Sequence, residues 1–377
     1  MSIYLSDSYQ DLAAQAQQHL RNNEYNQAQE IYERLYHRLG KMKAELIDRR
    51  PYLKDLQRFT VKALGDLAGW RGEYDKAMTY YREGLQLDPE RNLPYQRAIA
   101  QTKIDQGQVE DGLDELRALA VIHAGEPEPW IWLGVELSAH GDEAEAEINL
   151  KRAAEMEDAD PRSRSEAYSY LYDLYREQDR LAEAEEAWQK VWQVAGKDMD
   201  DPAPLYQMYW EVGNFEKARA WVNKEKNPLR SGFYSGLIAQ AEGNEKKAQQ
   251  LWQKTADLIP LNYDDGHEAW AEAALRMNHS PQIVTYALRE ATGRGQLNMR
   301  GAILLAIASV RAGQLEGAEA ALKAAADINQ HTRPRLDFLS KSHWELFAEL
   351  VADESAGAHF RSYFEPENPR RPKLEAV

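Results

Sequence analysis

The amino-acid sequence predicts an all-α chain, a solenoid of about nine helix-turn-helix repeats followed by a C-terminal capping helix region. Three observations carry that expectation. At 377 residues the chain is too long for one compact core, so it either divides into two or three domains or repeats a small unit. One position recurs near the start of every second amphipathic segment, occupied by Ala28, Ala77, Gly112, Ala146, Ala184, Ala218, Ala248, Ile283 and Ala318, at spacings of 49, 35, 34, 38, 34, 30, 35 and 35 residues. Glycines at 72, 141, 213, 243 and 313 fall between the paired segments, where a tight turn needs positive φ.

Taken in order, the repeats cover residues 8–333. The long first interval predicts a second helix running on to about Asp48, a break at Pro51 and a separate helix before the second unit, an insertion of about residues 41–57. The second unit reads Val61, Leu64-Gly65, Gly72, Tyr74, Ala77, Tyr81 and Asp88-Pro89. In the fourth, Trp130-Ile-Trp-Leu133-Gly134 and Leu137 precede Gly141, Ala146, Leu150 and Ala153, and Pro161 ends it. The seventh (Gly236, Gly243, Ala248, Trp252, Pro260) and the ninth (Leu305-Ala306, Gly313, Ala318, Leu322, Ala325) repeat the arrangement. Small residues on first and second helices allow close antiparallel approach, while Trp, Leu and Tyr fill the space between pairs.

Two units depart from the pattern. Tyr172 stands where the repeat family that the chain resembles, named below, places Gly or Ala, which predicts a splayed fifth pair, and the eighth unit puts Pro281 and Ile283 at the start of its second helix. After Pro334, Leu336 to Val351 reads as an amphipathic helix and Ala356 to Phe364 as a shorter one, so residues 334–364 are expected to cap the last repeat. The segment 365–377, with three prolines and little to bury, is expected to be a flexible tail.

These signatures resemble the tetratricopeptide repeat, W-x2-L-G-x2-Y followed by A-x3-F-x2-A with a period of 34. The resemblance runs from about Ser8 to Ala326, and it implies a right-handed superhelix whose first helices line the concave side. It implies further that the second, fifth, ninth and twelfth positions of each unit face that groove. The corresponding residues are Phe59, Lys62, Asp66, Arg97, Gln101, Asp173 and Arg176 in the early units, and Ile131, Val135, Trp210, Phe233, Leu237, Ile303, Ile307 and Val310 in the later ones. The second set is expected to take a partner helix or peptide, with Trp210 and Phe233 as its energetic centre. The alternative is that the superhelix or the cap covers these residues. The Lys and Asn clamp by which some family members hold a C-terminal carboxylate is absent, since Ala13 and Gln17 stand at those places in the first unit.

Composition narrows the chemistry. The chain has no cysteine, so thiolate metal sites and cysteine nucleophiles are excluded. The nine histidines make no H-E-x-x-H pattern, and the acidic run Asp264-Asp265-Gly266-His267-Glu268 is expected to be a solvated helix start with Asp as its cap. No phosphate-cradling glycine loop occurs, so neither an enzyme nor a cofactor is expected. The opening residues carry no basic and apolar leader pattern, which predicts a cytoplasmic protein away from membranes.

A formal charge of −16 disfavours general nucleic-acid binding, but from Glu33 to Lys62 nine basic residues face four acidic ones. Arg34, Arg38, Lys41, Lys43, Arg49, Arg50, Lys54, Arg58 and Lys62 make either a solvated helix face or a patch for an acidic protein or a nucleic-acid backbone. The sequence therefore points first to a non-catalytic scaffold or adaptor that binds a protein or peptide. The second reading is a regulatory or sensor subunit of a signalling or defence complex that controls an effector enzyme.

Overall fold

The computed structural model describes residues 3–21, 25–87, 92–196, 201–295, 297–332, 341–351 and 359–364. The expectations for Pro89, for residues 336–340 and 356–358 and for the tail 365–377 lie outside them. The chain divides into two compact units, Met1–Met199 and Asp200–Val377. Among the described residues each unit is built from α-helix without a strand.

In the first unit, α1 (Ile3–Arg21) pairs with α2 (Tyr25–Gly40), and a short α3 (Ala44–Asp48) leads to the pair α4 (Pro51–Trp70) and α5 (Tyr74–Leu87). The pairs α6 (Leu93–Asp105) and α7 (Val109–Ile122), α8 (Pro127–Ala139) and α9 (Glu143–Ala154), and α10 (Pro161–Glu177) and α11 (Leu181–Ala195) follow. The second unit pairs α12 (Ala203–Glu211) with α13 (Phe215–Val222), α14 (Pro228–Ala241) with α15 (Glu245–Ala256), α16 (His267–Arg276) with α17 (Pro281–Gly293), and α18 (Met299–Arg311) with α19 (Leu315–Thr332). A last helix, α20 (Lys341–Val351), packs on α18. Each unit is thus a solenoid of stacked helix pairs.

The recurring position has a physical meaning. It is the fourth residue of each second helix, and Ala28, Ala77, Ala146, Ala184, Ala218, Ala248 and Ala318 are all fully buried there. One turn further on, a large side chain crosses the first helix of the same pair. Tyr81 lies over Gly65, Leu150 over Gly134 and Trp252 over Gly236, each so close that a Cβ on the glycine would collide with it. In the fifth pair the same crossing brings Tyr172 against Trp188, with ring centroids 5.1 Å apart at 55°. Tyr172 is buried, and α10 and α11 pack along each other, so the expected splaying does not occur. The two rings tilt past one another and fill the crossing that small residues close elsewhere.

Every described turn inside a pair has one form. Gly72, Gly107, Gly141, Asp179, Gly213, Gly243, Asn278 and Gly313 take positive φ. The N–H of the next residue then donates to a carbonyl five residues back, as Asp142 does to Leu137 at 2.9 Å and Arg180 to Tyr175 at 2.8 Å. This left-handed cap satisfies carbonyls that the end of the first helix would leave unpaired. Asp179 and Asn278 hold the position without glycine, because short polar side chains tolerate the left-handed region. Asp142, Asn214 and Asn244 also cap the second helix, accepting from the N–H of Glu145, Lys217 and Lys247 at 3.1–3.2 Å.

The eighth pair corrects the sequence register. Ile283 is exposed, and the buried fourth residue of α17 is Val284. One extra residue sits between Asn278 and the helix: the Val284 N–H donates to Ser280 O as the Ala146 N–H donates to Asp142 O. Pro281 then fits at the first helical position, where its missing N–H is no loss.

The insertion also differs from expectation. α2 stops at Gly40 instead of running to Asp48, and α3 is a separate single turn. Pro51 opens one continuous 20-residue helix that is itself the first helix of the second pair. Its outer turns are used, because the Tyr95 hydroxyl of α6 donates to Arg58 O at 2.8 Å.

Candidate functional site

In the first unit the first helices α6, α8 and α10 present a groove across three successive repeats. Arg97 and Gln101 of α6, Trp132, Val135 and Glu136 of α8, and Glu166 and Tyr170 of α10 line it, with Ile131 and Leu116 of α7 beneath. It encloses about 90 Å3 of water-sized space. The helices can present these side chains because their opposite faces carry the packing, through Ala100, Leu133, Gly134, Ala167 and Leu171.

Charge and aromatic surface meet in this groove. The Arg97 guanidinium lies over the Trp132 ring, 4.6 Å from its centroid, a cation–π contact between adjacent repeats. Burial lowers the Arg97 pKa from its ordinary value, while Tyr170, Glu136 and Glu166 act in the opposite direction. Glu136 is 3.9 Å from His140, and Gln101 donates to Asp105 at 3.1 Å. The arrangement holds no nucleophile paired with a base. Among the described residues no three His, Asp or Glu side chains converge as metal ligands.

The apolar set expected in the groove fares unevenly. Ile131 and Val135 do meet in the groove just described, Ile131 as its buried floor. Phe233 and Leu237 are buried instead, packed with Ala269 and Ala273 of the next first helix. Ile303 and Ile307 are fully buried, and Val310 packs against the same core, because Leu346, Phe347 and Leu350 of α20 lie on α18. Residues 301–309 are all buried, so α18 is a core helix with no free face. Trp210 is half-buried, packed on the Phe233 cluster, and its indole N–H has no partner among the described residues. The stripe read as a partner surface is therefore mostly the protein's own interior.

What the second unit carries on its first helices is polar. Gln207 donates to the Tyr234 hydroxyl at 2.7 Å, and burial pushes the Tyr234 pKa up to about 12. Burial also raises the Glu268 carboxyl above its usual range. Glu272, 1% exposed, accepts from Arg276 at 2.9 Å and pairs with Arg300 of α18, and Arg276 reaches Glu349 of α20 at 2.6 Å. The sequence places Glu268 in a solvated helix start and gives Glu272 no role; burial of both depends on contacts with other helices. The run Trp270-Ala271 with Ala274 gave the correct phase by itself.

The acidic run before α16 serves the fold differently from a cap. Gly266 is the N-terminal cap and takes a left-handed φ of 79°. Asp265 instead reaches the start of α14, pairing with Arg230 at 3.0 Å and accepting from Asn227. His267 is buried, its two ring nitrogens have no hydrogen-bond partner among the described residues, and burial lowers its pKa.

In the basic segment, Arg34, Arg38, Lys41, Lys43 and Arg49 are exposed around the α2–α3 corner. Arg50, Lys54, Arg58 and Lys62 are half-buried; Lys62 pairs with Asp66 at 2.8 Å and Arg58 with Asp55 at 3.4 Å. The nine cations therefore divide into an exposed corner and a helix face with internal partners.

The stacked pairs, the crossing residues and the uniform turns define a helix-pair repeat protein. The family model described as Tetratricopeptide repeat matches residues 63–91, a stretch that includes the end of α4 and the whole of α5. Over those residues the chain carries a tetratricopeptide repeat. No curated protein sequence matches it. Similar solved structures include the apo form of RapI, 14% identical over 66% of this chain and 96% of that one, with a TM-score of 0.41. A tetratricopeptide repeat protein from Parabacteroides merdae is 15% identical over 66% and 92%, with a TM-score of 0.38. Pseudomonas aeruginosa pilF is 18% identical over 55% and 94%, with a TM-score of 0.39. Among the described residues no helix is long and apolar enough to cross a membrane.

Proposed function

We propose that the protein is a non-catalytic interaction scaffold that holds an extended segment of a protein partner along α6, α8 and α10. The observation that carries this reading is the groove itself. Its accessible side chains sit on three consecutive first helices, and Trp132 offers an amphipathic ring where binding energy commonly concentrates. The stripe of Phe233, Leu237, Ile303 and Ile307 is engaged in packing, so the binding role moves to the first unit.

The test is a binding measurement with the partner co-purified from the native host. Trp132→Ala is expected to weaken the complex by about 1–3 kcal/mol, roughly tenfold to a hundredfold. Unchanged affinity for Trp132→Ala, Tyr170→Ala and Gln101→Ala alike would overturn the reading.

A second reading, docking of an acidic partner that makes the chain a regulatory subunit, is supported by the exposed corner of Arg34, Arg38, Lys41, Lys43 and Arg49. None of the five has an ion pair among the described residues. Affinity that falls steeply with ionic strength, and that Arg38→Glu with Lys41→Glu abolishes, would favour it over the groove.

A further inference from the structure

Two charged side chains of the groove are left without hydrogen-bonded partners. Among the described residues Arg97 makes no hydrogen bond and no ion pair; its contact is the Trp132 ring. Stacking uses the flat face of a guanidinium and leaves its in-plane N–H donors available. Among the described residues the Glu166 carboxylate likewise makes no hydrogen bond and no ion pair; the Ser169 hydroxyl donates to the main-chain carbonyl of that residue at 2.7 Å.

The charges around the space decide which ligand fits. An anion placed against Arg97 would also meet the Glu136 and Glu166 carboxylates, and a cation placed against Glu166 would meet Arg97. A neutral group that carries both an acceptor and donors satisfies the two together without either repulsion. The size agrees, since about 90 Å3 is the room of a few waters and suits a planar amide at the end of a short stem. We infer that the groove takes the carboxamide of an asparagine or glutamine side chain of the bound segment. Its oxygen accepts from the Arg97 guanidinium and its nitrogen donates to the Glu166 carboxylate. This inference rests on the groove reading above.

Random peptides displayed on phage and selected on the full-length chain test both, with affinities then measured for the synthetic peptides that are retained. Peptides whose binding is lost on Trp132→Ala are expected to share one Asn or Gln. Replacing it by Glu or by Lys should each weaken binding about tenfold or more, because a charge covered by the bound segment is then left mispaired. Arg97→Met and Glu166→Gln should remove that discrimination. Trp132-dependent peptides with an acidic or basic residue at the shared place, or a discrimination that survives both variants, would overturn the carboxamide inference and leave the groove reading standing. A selection yielding no Trp132-dependent peptide would overturn both.

Discussion

The Trp252 indole occupies the space above Gly236, and its N–H donates to the carbonyl of Phe233 at 3.1 Å. One aromatic ring thereby joins the two helices of the seventh pair by shape and by a buried hydrogen bond. Tyr81 over Gly65 is the same crossing in the second pair, with the hydroxyl donating to Asp66 at 2.9 Å.

Gly236→Ala therefore tests the crossing directly. A methyl group there displaces the ring, and overpacking of this kind costs about 1–3 kcal/mol, which outweighs the helix propensity gained. Gly40→Ala is the control, since nothing lies within 4 Å of a Cβ at that position. It should leave stability unchanged or raise it by about 0.4–1 kcal/mol. Urea unfolding of the two variants beside the parent protein separates these outcomes.

The turns give a second pair of opposed expectations. Gly213→Ala forces a side chain into the left-handed region and should lose about 1–2 kcal/mol. Asp179→Gly relieves that conformation and should be neutral or gain up to about 1 kcal/mol. Thermal unfolding midpoints moving in the same direction for both would contradict the shared turn geometry.

Glu272 is buried between two arginines, so its removal leaves positive charge without a partner. Glu272→Ala should cost about 3–5 kcal/mol, and Glu272→Leu no less. Arg276 would still reach Glu349, so Glu349→Ala on top of Glu272→Ala should add less than it costs alone only if α20 has already come loose. Hydrogen exchange of α20 amides in the single variant shows which holds.

Acid should attack the first unit through Glu147. Hydrogen bonds from Arg180, then from Lys151 and Tyr175, hold its pKa down to about 2. The folded value lies below the unfolded one near 4.3, so this stabilisation is complete above that pH. It drains away as pH falls from about 4 to about 2. Glu147→Gln should cost about 1 kcal/mol at neutral pH and flatten that part of the acid unfolding curve.

Much of the architecture was legible because the repeat writes one instruction in several places. Ala146 marks a buried contact, Gly141 a left-handed cap and Gly134 a close crossing, and the three keep a fixed spacing. Where a residue of another type does the same task the signal weakens, as with Asp179 and Asn278 in the turns or the Tyr172 and Trp188 rings at a crossing. The single extra residue after Asn278 moves the buried position from Ile283 to Val284, which the spacing alone does not register. The binding stripe was misread for a different reason. Ile303 and Ile307 have the same local pattern whether bare or covered, and their cover, Leu346 and Phe347 on α20, is distant in sequence. The pocket of Arg97, Trp132 and Glu166 depends on three repeats meeting, which no single repeat's pattern records.

The longer turn of the eighth pair separates timing from content. One residue more would rotate a helix by about 100° if the helix simply continued, and every inward side chain would turn away. Here α17 begins one residue later, so Val284 arrives in phase and the surplus is absorbed between Asn278 and Pro281. The loop acts as a clutch, and chain length at these corners can drift without disturbing what the helices say to each other.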